Sequence, residues 1–167
     1  MTSIGLLSDT HGFLDESLKL MLENCDEIWH AGDFGTMDVH QQLFQLNKPL
    51  RGVYGNIDNQ ELRALLPLDL IWQVEELKIF MTHIGGYPGR YDARVKNILT
   101  EQQPGMYVCG HSHILKVIYD KNFELLHLNP GACGREGFHK IRTALKFSID
   151  GDKIKDMGVI ELGIRGS

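Results

Sequence analysis

Short apolar runs alternate with amphipathic stretches through the first half of the chain, the pattern of strands joined by helical crossovers. Residues 3–7 read as the first strand; Leu14, Leu18, Met21 and Leu22 then recur at helical spacing, and residues 27–30 follow as a second strand. Thr36 is placed to cap a helix carrying Val39, Leu43, Phe44 and Leu46, which Pro49 closes before a strand over residues 50–54. From residue 71 to 82, two apolar runs flank Glu75-Glu76, a hairpin pattern whose second arm ends at His83. After the loop Gly85-Gly86-Tyr87-Pro88-Gly89, the spacing of Tyr91, Val95, Ile98 and Leu99 predicts another helix. Pro104-Gly105 separates it from a strand over residues 106–109. The remainder is strand-rich, with turns at Lys121-Asn122 and Asp150-Gly151-Asp152 and clear alternation at Leu145, Phe147 and Ile149, which predicts antiparallel pairing. The sum is a mixed α/β chain with more than one sheet.

Length and composition narrow this further. At 167 residues and 43% apolar, the chain is long enough for one substantial core, and it carries no repeat or linker, so residues 1–167 are expected to form a single domain. Seventeen Lys and Arg against 22 Asp and Glu give a net charge of −5, without a basic run, which argues against stable nucleic-acid binding. No apolar stretch reaches the roughly 18–20 residues that cross a bilayer, and the N-terminal segment lacks a basic region, so no membrane partner and a cytoplasmic location are expected. Cys25, Cys109 and Cys133 are odd in number and lack Cys-x-x-Cys spacing, so reduced, buried thiols are expected. A homo-oligomer is compatible with all of this.

The polar residues are distributed unevenly. Asp9, His11, Asp33, Asn56, His83, His111 and His113 all fall just past expected strands, in five groups whose leading residues are separated by about 23 to 28 positions, each close to one strand plus its connection. In open α/β sheets the carboxyl ends of strands are where ligands bind. Gly12, Gly32, Gly55, Gly85, Gly110 and Gly131 accompany them. Any one of these fragments is common in ordinary turns; the set returns potential metal ligands to one edge again and again. Other catalytic templates are missing: no phosphate-binding Gly-x-x-x-x-Gly-Lys loop, no His-Glu-x-x-His helix, and no flanking glycines to make Ser112 a nucleophile elbow.

Taken in order, Asp-x-His, Gly-Asp, Gly-Asn, His and Gly-His-x-His across residues 4–133 resemble the signature of the calcineurin-like metallophosphoesterases. Gly55-Asn56-Ile57-Asp58 and Asn129-Pro130-Gly131 are similar to the small prokaryotic phosphodiesterase branch of that superfamily. The resemblance implies a four-layer α-β-β-α sandwich, two mixed sheets flanked by helices, with a metal site at the strand C-terminal ends. It further implies two divalent transition-metal ions, the first held by Asp9, His11, Asp33 and His113, the second by Asp33, Asn56, His83 and His111, with Asp33 as the bridge. Nitrogen and oxygen ligation without thiolate suits manganese, with iron, nickel, cobalt or zinc as alternatives. The implied reaction is hydrolysis of a small phosphodiester by in-line attack of a bimetal-bridging hydroxide, with Asp33, Asn56 and His111 in catalytic roles. Two ions, two carboxylates and one hydroxide leave a single positive charge to attract a diester monoanion.

The chain departs from that signature at Ile57, where many members carry a histidine that protonates the leaving group; aryl diesters should therefore be cleaved much faster than alkyl diesters or monoesters. Asp58 is expected either to orient a metal-bound histidine or to act as a turn residue that caps the next segment. Arg135 and His139, in a glycine-rich loop, are candidates to touch substrate. His30 and His127 read as satisfied core histidines, and His40 as a helix-surface residue. The alternative function is a non-catalytic, metal-stabilised protein-interaction scaffold of the same fold, as in the related retromer subunit; eroded ligands would favour it, and all seven positions here hold ligating types.

Overall fold

The computed structural model describes residues 1–167. Ten strands and four helices follow in the order β1 (Thr2–Leu7), α1 (Glu16–Glu23), β2 (Glu27–His30), α2 (Met37–Phe44), β3 (Leu50–Gly52), α3 (Gln60–Leu65), β4 (Asp69–Val74), β5 (Leu77–Thr82), α4 (Ala93–Gln102), β6 (Met106–Val108), β7 (Leu115–Asp120), β8 (Leu125–Pro130), β9 (Ile141–Asp150) and β10 (Lys153–Ile164). They form two five-stranded sheets, ordered β10-β9-β1-β2-β3 and β4-β5-β6-β8-β7. Both are mixed: β1-β2-β3 run parallel beside the antiparallel β9-β10 pair, and β5-β6-β8 run parallel between antiparallel β4 and β7.

Side-chain alternation sorts the core into layers. Ile4, Leu6, Trp29, Leu145 and Phe147 of the first sheet meet Ile79, Met81, Met106, Val108 and Leu128 of the second, filling the space between the sheets. The opposite faces are covered by helices: Leu18 and Leu22 of α1, Val39 and Leu43 of α2 and Leu62 of α3 pack with Leu7 and Ile28, while Val95 and Leu99 of α4 pack with Phe80 and Tyr107. The result is the expected four-layer α-β-β-α arrangement. No helix is long and apolar enough to cross a membrane, and the three cysteines are free and buried.

Several expectations are corrected locally. Helix α1 starts at Glu16, leaving Leu14 outside it, and Asp15 caps it, its carboxylate accepting from the Ser17 amide at 2.8 Å. Thr36 occupies the N-cap of α2 without a side-chain capping bond. The third strand stops at Gly52 because Tyr54 leaves the sheet and donates its amide to Pro67 O. Helix α3 is not marked by the hydrophobic period: six residues allow it one fully buried side chain, Leu62, and its start is signalled only by Asn59, which accepts from the Leu62 amide. His40 is half-buried, packed against Phe34 and Phe44. His30 is a satisfied core histidine: Nδ1 accepts from the Gly32 amide, and Nε2 donates to Thr10 Oγ1, which itself donates to Phe34 O. His127 is buried but not satisfied, since its Nδ1 has no partner.

Candidate metal centre

Parallel strands of both sheets end on one side of the sandwich, and each delivers polar residues to the same cleft. Asp9 and His11 follow β1, Asp33 follows β2, Asn56 follows β3, His83 follows β5, and His111 and His113 follow β6. Backbone hydrogen bonds stitch these loops together: the amides of Asp9 and His11 donate to Gly32 O and Asp33 O, the amide of Gly110 to His83 O, and that of Gly134 to Asp9 O. Five of the residues adopt left-handed backbone conformations, with φ of 56° at Asp9, 47° at His11, 60° at Asp33, 70° at His111 and 61° at His113. Non-glycine residues pay for that conformation, and they hold it where surrounding contacts fix the loop. Close approach is required as well: a Cβ on Gly55 would overlap Asp33 Oδ1.

The side chains form two groups of donor atoms. Asp9, His11 and His113 offer atoms within 4.8 Å of one another, as do Asp33, His83 and His111. Asp9 Oδ1 lies 3.1 Å from His113 Nε2 and 3.7 Å from His11 Nε2. Asp33 Oδ2 stands between the groups, 3.5 Å from His11 Nε2 and 3.2 Å from His83 Nε2. Asn56 Oδ1 joins the second group at 3.1 Å from both His83 Nε2 and His111 Nδ1. Burial grades across the cleft: Asp9, Asp33 and His83 are buried, His11 and His113 half-buried, and Asn56 and His111 exposed.

Asp9 Oδ1 and His11 Nε2 are buried with no hydrogen-bond partner, although they face each other across the first group. An orphaned carboxylate oxygen beside an orphaned imidazole nitrogen is what a divalent cation would satisfy, and the donor set of imidazole, carboxylate and amide oxygen suits a transition metal. The charges agree. Burial works against ionised Asp9, yet the imidazoles of His11 and His113 hold its carboxyl well below the usual carboxylate range. Asp33 behaves in the same way through His11 and His83. The Asp33 and Asp9 carboxylates raise His11 to about 10.

The other expected site residues sit elsewhere. Asp58 orients no histidine; its Oδ2 accepts from the amides of Asp33 (3.1 Å) and Gly55 (2.8 Å) and its Oδ1 from the Gly35 amide (2.9 Å), so it fixes the loops that carry Asp33 and Asn56. Arg135 lies with its guanidinium carbon 3.6 Å from the Phe13 ring centre, on the rim. His139 packs against His113, Nδ1 to Nδ1 at 3.2 Å. The sequence reading missed Arg63, whose Nε and Nη2 donate to Asp58 O and Asn56 O at 2.7 and 3.1 Å. It also missed Ser8, which donates to Asp9 Oδ2, and Ala31, whose carbonyl accepts from His83 Nδ1 at 2.7 Å. None of the three carries a local sequence signal: Arg63 sits on the short helix α3, five residues beyond Asp58. A cleft of about 390 Å³ opens beside Asn56 and His83, walled by Tyr54, Arg63, Ile84 and Arg94.

Over residues 2–152 the chain matches the family described as the calcineurin-like phosphoesterase superfamily domain. It is 26% identical to phosphodiesterase MJ0936 of Methanocaldococcus jannaschii over 145 residues, which is 78% of this chain and 83% of that protein. A "Probable metallophosphoesterase" of Mycoplasma pneumoniae is 30% identical over 166 residues, 94% of this chain and 96% of that protein. Among solved structures, wild-type Vps29 of Entamoeba histolytica complexed with zinc has a TM-score of 0.73, covering 95% of this chain and 98% of that one at 14% identity, a likeness of fold alone.

Proposed function

The chain belongs to the calcineurin-like phosphoesterase superfamily, and from that premise we propose that it is a phosphodiesterase that uses two divalent metal ions to hydrolyse a small phosphodiester. The observation that carries this reading is the position of Asp33 Oδ2, within 3.5 Å of an imidazole nitrogen from each donor group. Asp9, His11, Asp33 and His113 would hold one ion, and Asp33, Asn56, His83 and His111 the other. When bound, the pair supplies Lewis acidity at the phosphoryl oxygens and an acidified water as nucleophile; manganese is the first metal to try.

The chain's own residues set the selectivity. Asn56 contributes oxygen without charge, so the site keeps net positive charge for a diester anion. Asp58 and Arg63 hold the loop that presents Asn56. Ile57 donates its amide to Asp33 Oδ1 at 3.1 Å, and its side chain, 44% exposed, offers no proton to a departing group. The exposed apolar side chains of Ile57, Ile84 and Ile114 each directly follow a proposed ligand. Good leaving groups with apolar or aromatic arms fit this lining, and the cleft beside Asn56 is large enough for one such arm.

The experiment is hydrolysis of a bis-aryl phosphodiester by chelator-stripped protein, with and without Mn²⁺, beside the matched monoester. Metal-restored diester cleavage, with much slower monoester cleavage, is expected. Silence with Mn, Ni, Co and Zn in protein that binds two ions would overturn the enzymatic reading in favour of the scaffold. One observation favours that second reading: edge strand β7 exposes Val117, Ile118 and Tyr119 in succession, a surface on which another chain can pair.

A further inference from the structure

His113 is backed by a second histidine, and the hydrogen bonds leave that pair one arrangement. His139 Nε2 lies 2.8 Å from Gly134 O. A carbonyl only accepts, so Nε2 carries the proton and Nδ1 of the neutral ring is an acceptor. His113 Nδ1, 3.2 Å away, must then be the donor. With its Nδ1 protonated, the neutral His113 ring keeps its lone pair on Nε2, the atom 3.1 Å from Asp9 Oδ1 within the first donor group.

We propose that His139 is a positioning residue that locks the tautomer and orientation of His113 and thereby sets the affinity of the first metal position. This rests on the reading that Asp9, His11 and His113 hold an ion. The second group solves the same problem differently: His83 Nδ1 donates to a buried main-chain carbonyl, Ala31 O. No carbonyl stands behind His113, and His139 takes its place. The loop is shaped for the contact. Gly137 has φ 128°, and a Cβ on it would overlap the His113 ring and crowd His139 Nδ1, so a side chain at this position would push the two rings apart. The same loop brings Glu136 Oε2 to 3.8 Å from His11 Nδ1, so that it faces two of the three residues of the first group and none of the second.

Two substitutions separate orientation from loop support. An asparagine amide occupies roughly the place of histidine Nδ1, so His139→Asn keeps an acceptor for His113 and loses the bond to Gly134; His139→Gln does the reverse. Chelator-stripped wild type, His139→Asn and His139→Gln would be titrated with Mn²⁺ in competition with a fluorescent chelator. Wild type should take two ions. His139→Gln should weaken one of them about 10- to 100-fold and leave the other unchanged, whereas His139→Asn should stay within about threefold of wild type. Long-range ¹⁵N correlation spectra of Zn²⁺-loaded wild type should show His113 protonated at Nδ1. Wild-type binding of both ions by His139→Gln, a larger loss in His139→Asn, or a His113 ring protonated at Nε2 would each overturn the proposal while leaving the metal reading intact. Wild type that binds no Mn²⁺ would instead defeat the metal reading beneath it.

Discussion

The floor of the candidate site and its rim are built on different principles. On the floor, Asp9, Asp33 and His83 are buried, lie at the ends of parallel strands, and are fixed by partners that cannot move away: Ser8 and the His111 amide on Asp9, the Ile57 amide on Asp33, Ala31 O on His83. On the rim, residues 134–139 form a loop whose side chains reach the site from outside, and between Arg135 and His139 it carries Phe138, which is fully exposed. The floor obtains its precision from secondary structure. The rim obtains it from a few side-chain contacts, which single substitutions can undo without disturbing the sheets.

The contrast is broken most severely on the floor. Asp33→Ala should abolish diester turnover, by about a thousandfold or more, with the fold retained by circular dichroism; Asn56→Ala and His111→Ala should do the same without touching the core. Near-wild-type rates in these three variants would remove the metal centre from the mechanism. Asp58→Ala is next. It strands the amides of Asp33, Gly35 and Gly55, so denaturant unfolding should show a loss of about 2–4 kcal/mol, together with a fall in turnover that Asp58→Asn partly restores.

Proton competition sharpens the difference further. The Asp33 and Asp9 carboxylates keep His11 protonated up to about pH 10 in metal-free protein, so metal binding must expel that proton. Mn²⁺ affinity should rise with pH, approaching tenfold per unit below that value, and calorimetry in buffers of different ionisation enthalpy should detect proton release. Because the folded pKa of His11 is raised, its stabilisation of the metal-free fold is complete below about pH 6.5 and disappears as the pH climbs toward 10. Thermal unfolding of metal-free protein should follow that decline, and metal-loaded protein should not. The smallest effects belong to the rim. Arg135→Ala should change KM by only a few-fold, and Ile57→His should accelerate alkyl diesters relative to aryl diesters, measured as a ratio of kcat/KM values.

What the sequence displays follows the same division. Asp9, His11, Asp33, Asn56, His83, His111 and His113 are visible because each follows an apolar run and most sit beside a glycine, so local pattern alone places them at strand ends. The sandwich is visible for the same reason. The rest depends on distances that no local pattern carries. Asp58 meets the Asp33 amide across 25 residues and His113 meets His139 across 26, contacts that no local pattern announces. Arg63 stayed hidden with α3, a helix too short to show a periodic apolar face.

The left-handed backbone at the proposed ligands bears on how such a site is kept or lost over generations. His111 has φ 70° and an exposed ring, so replacing it with glycine removes backbone strain while forfeiting only two side-chain contacts, to Asn56 and to the His83 ring. The metal-free melting temperature of His111→Gly should equal or exceed that of wild type. Natural selection for folding alone would then do nothing to preserve this residue. Its persistence in a lineage would report continuing demand for the chemistry, and its decay would leave an intact sandwich free to be recruited for another purpose.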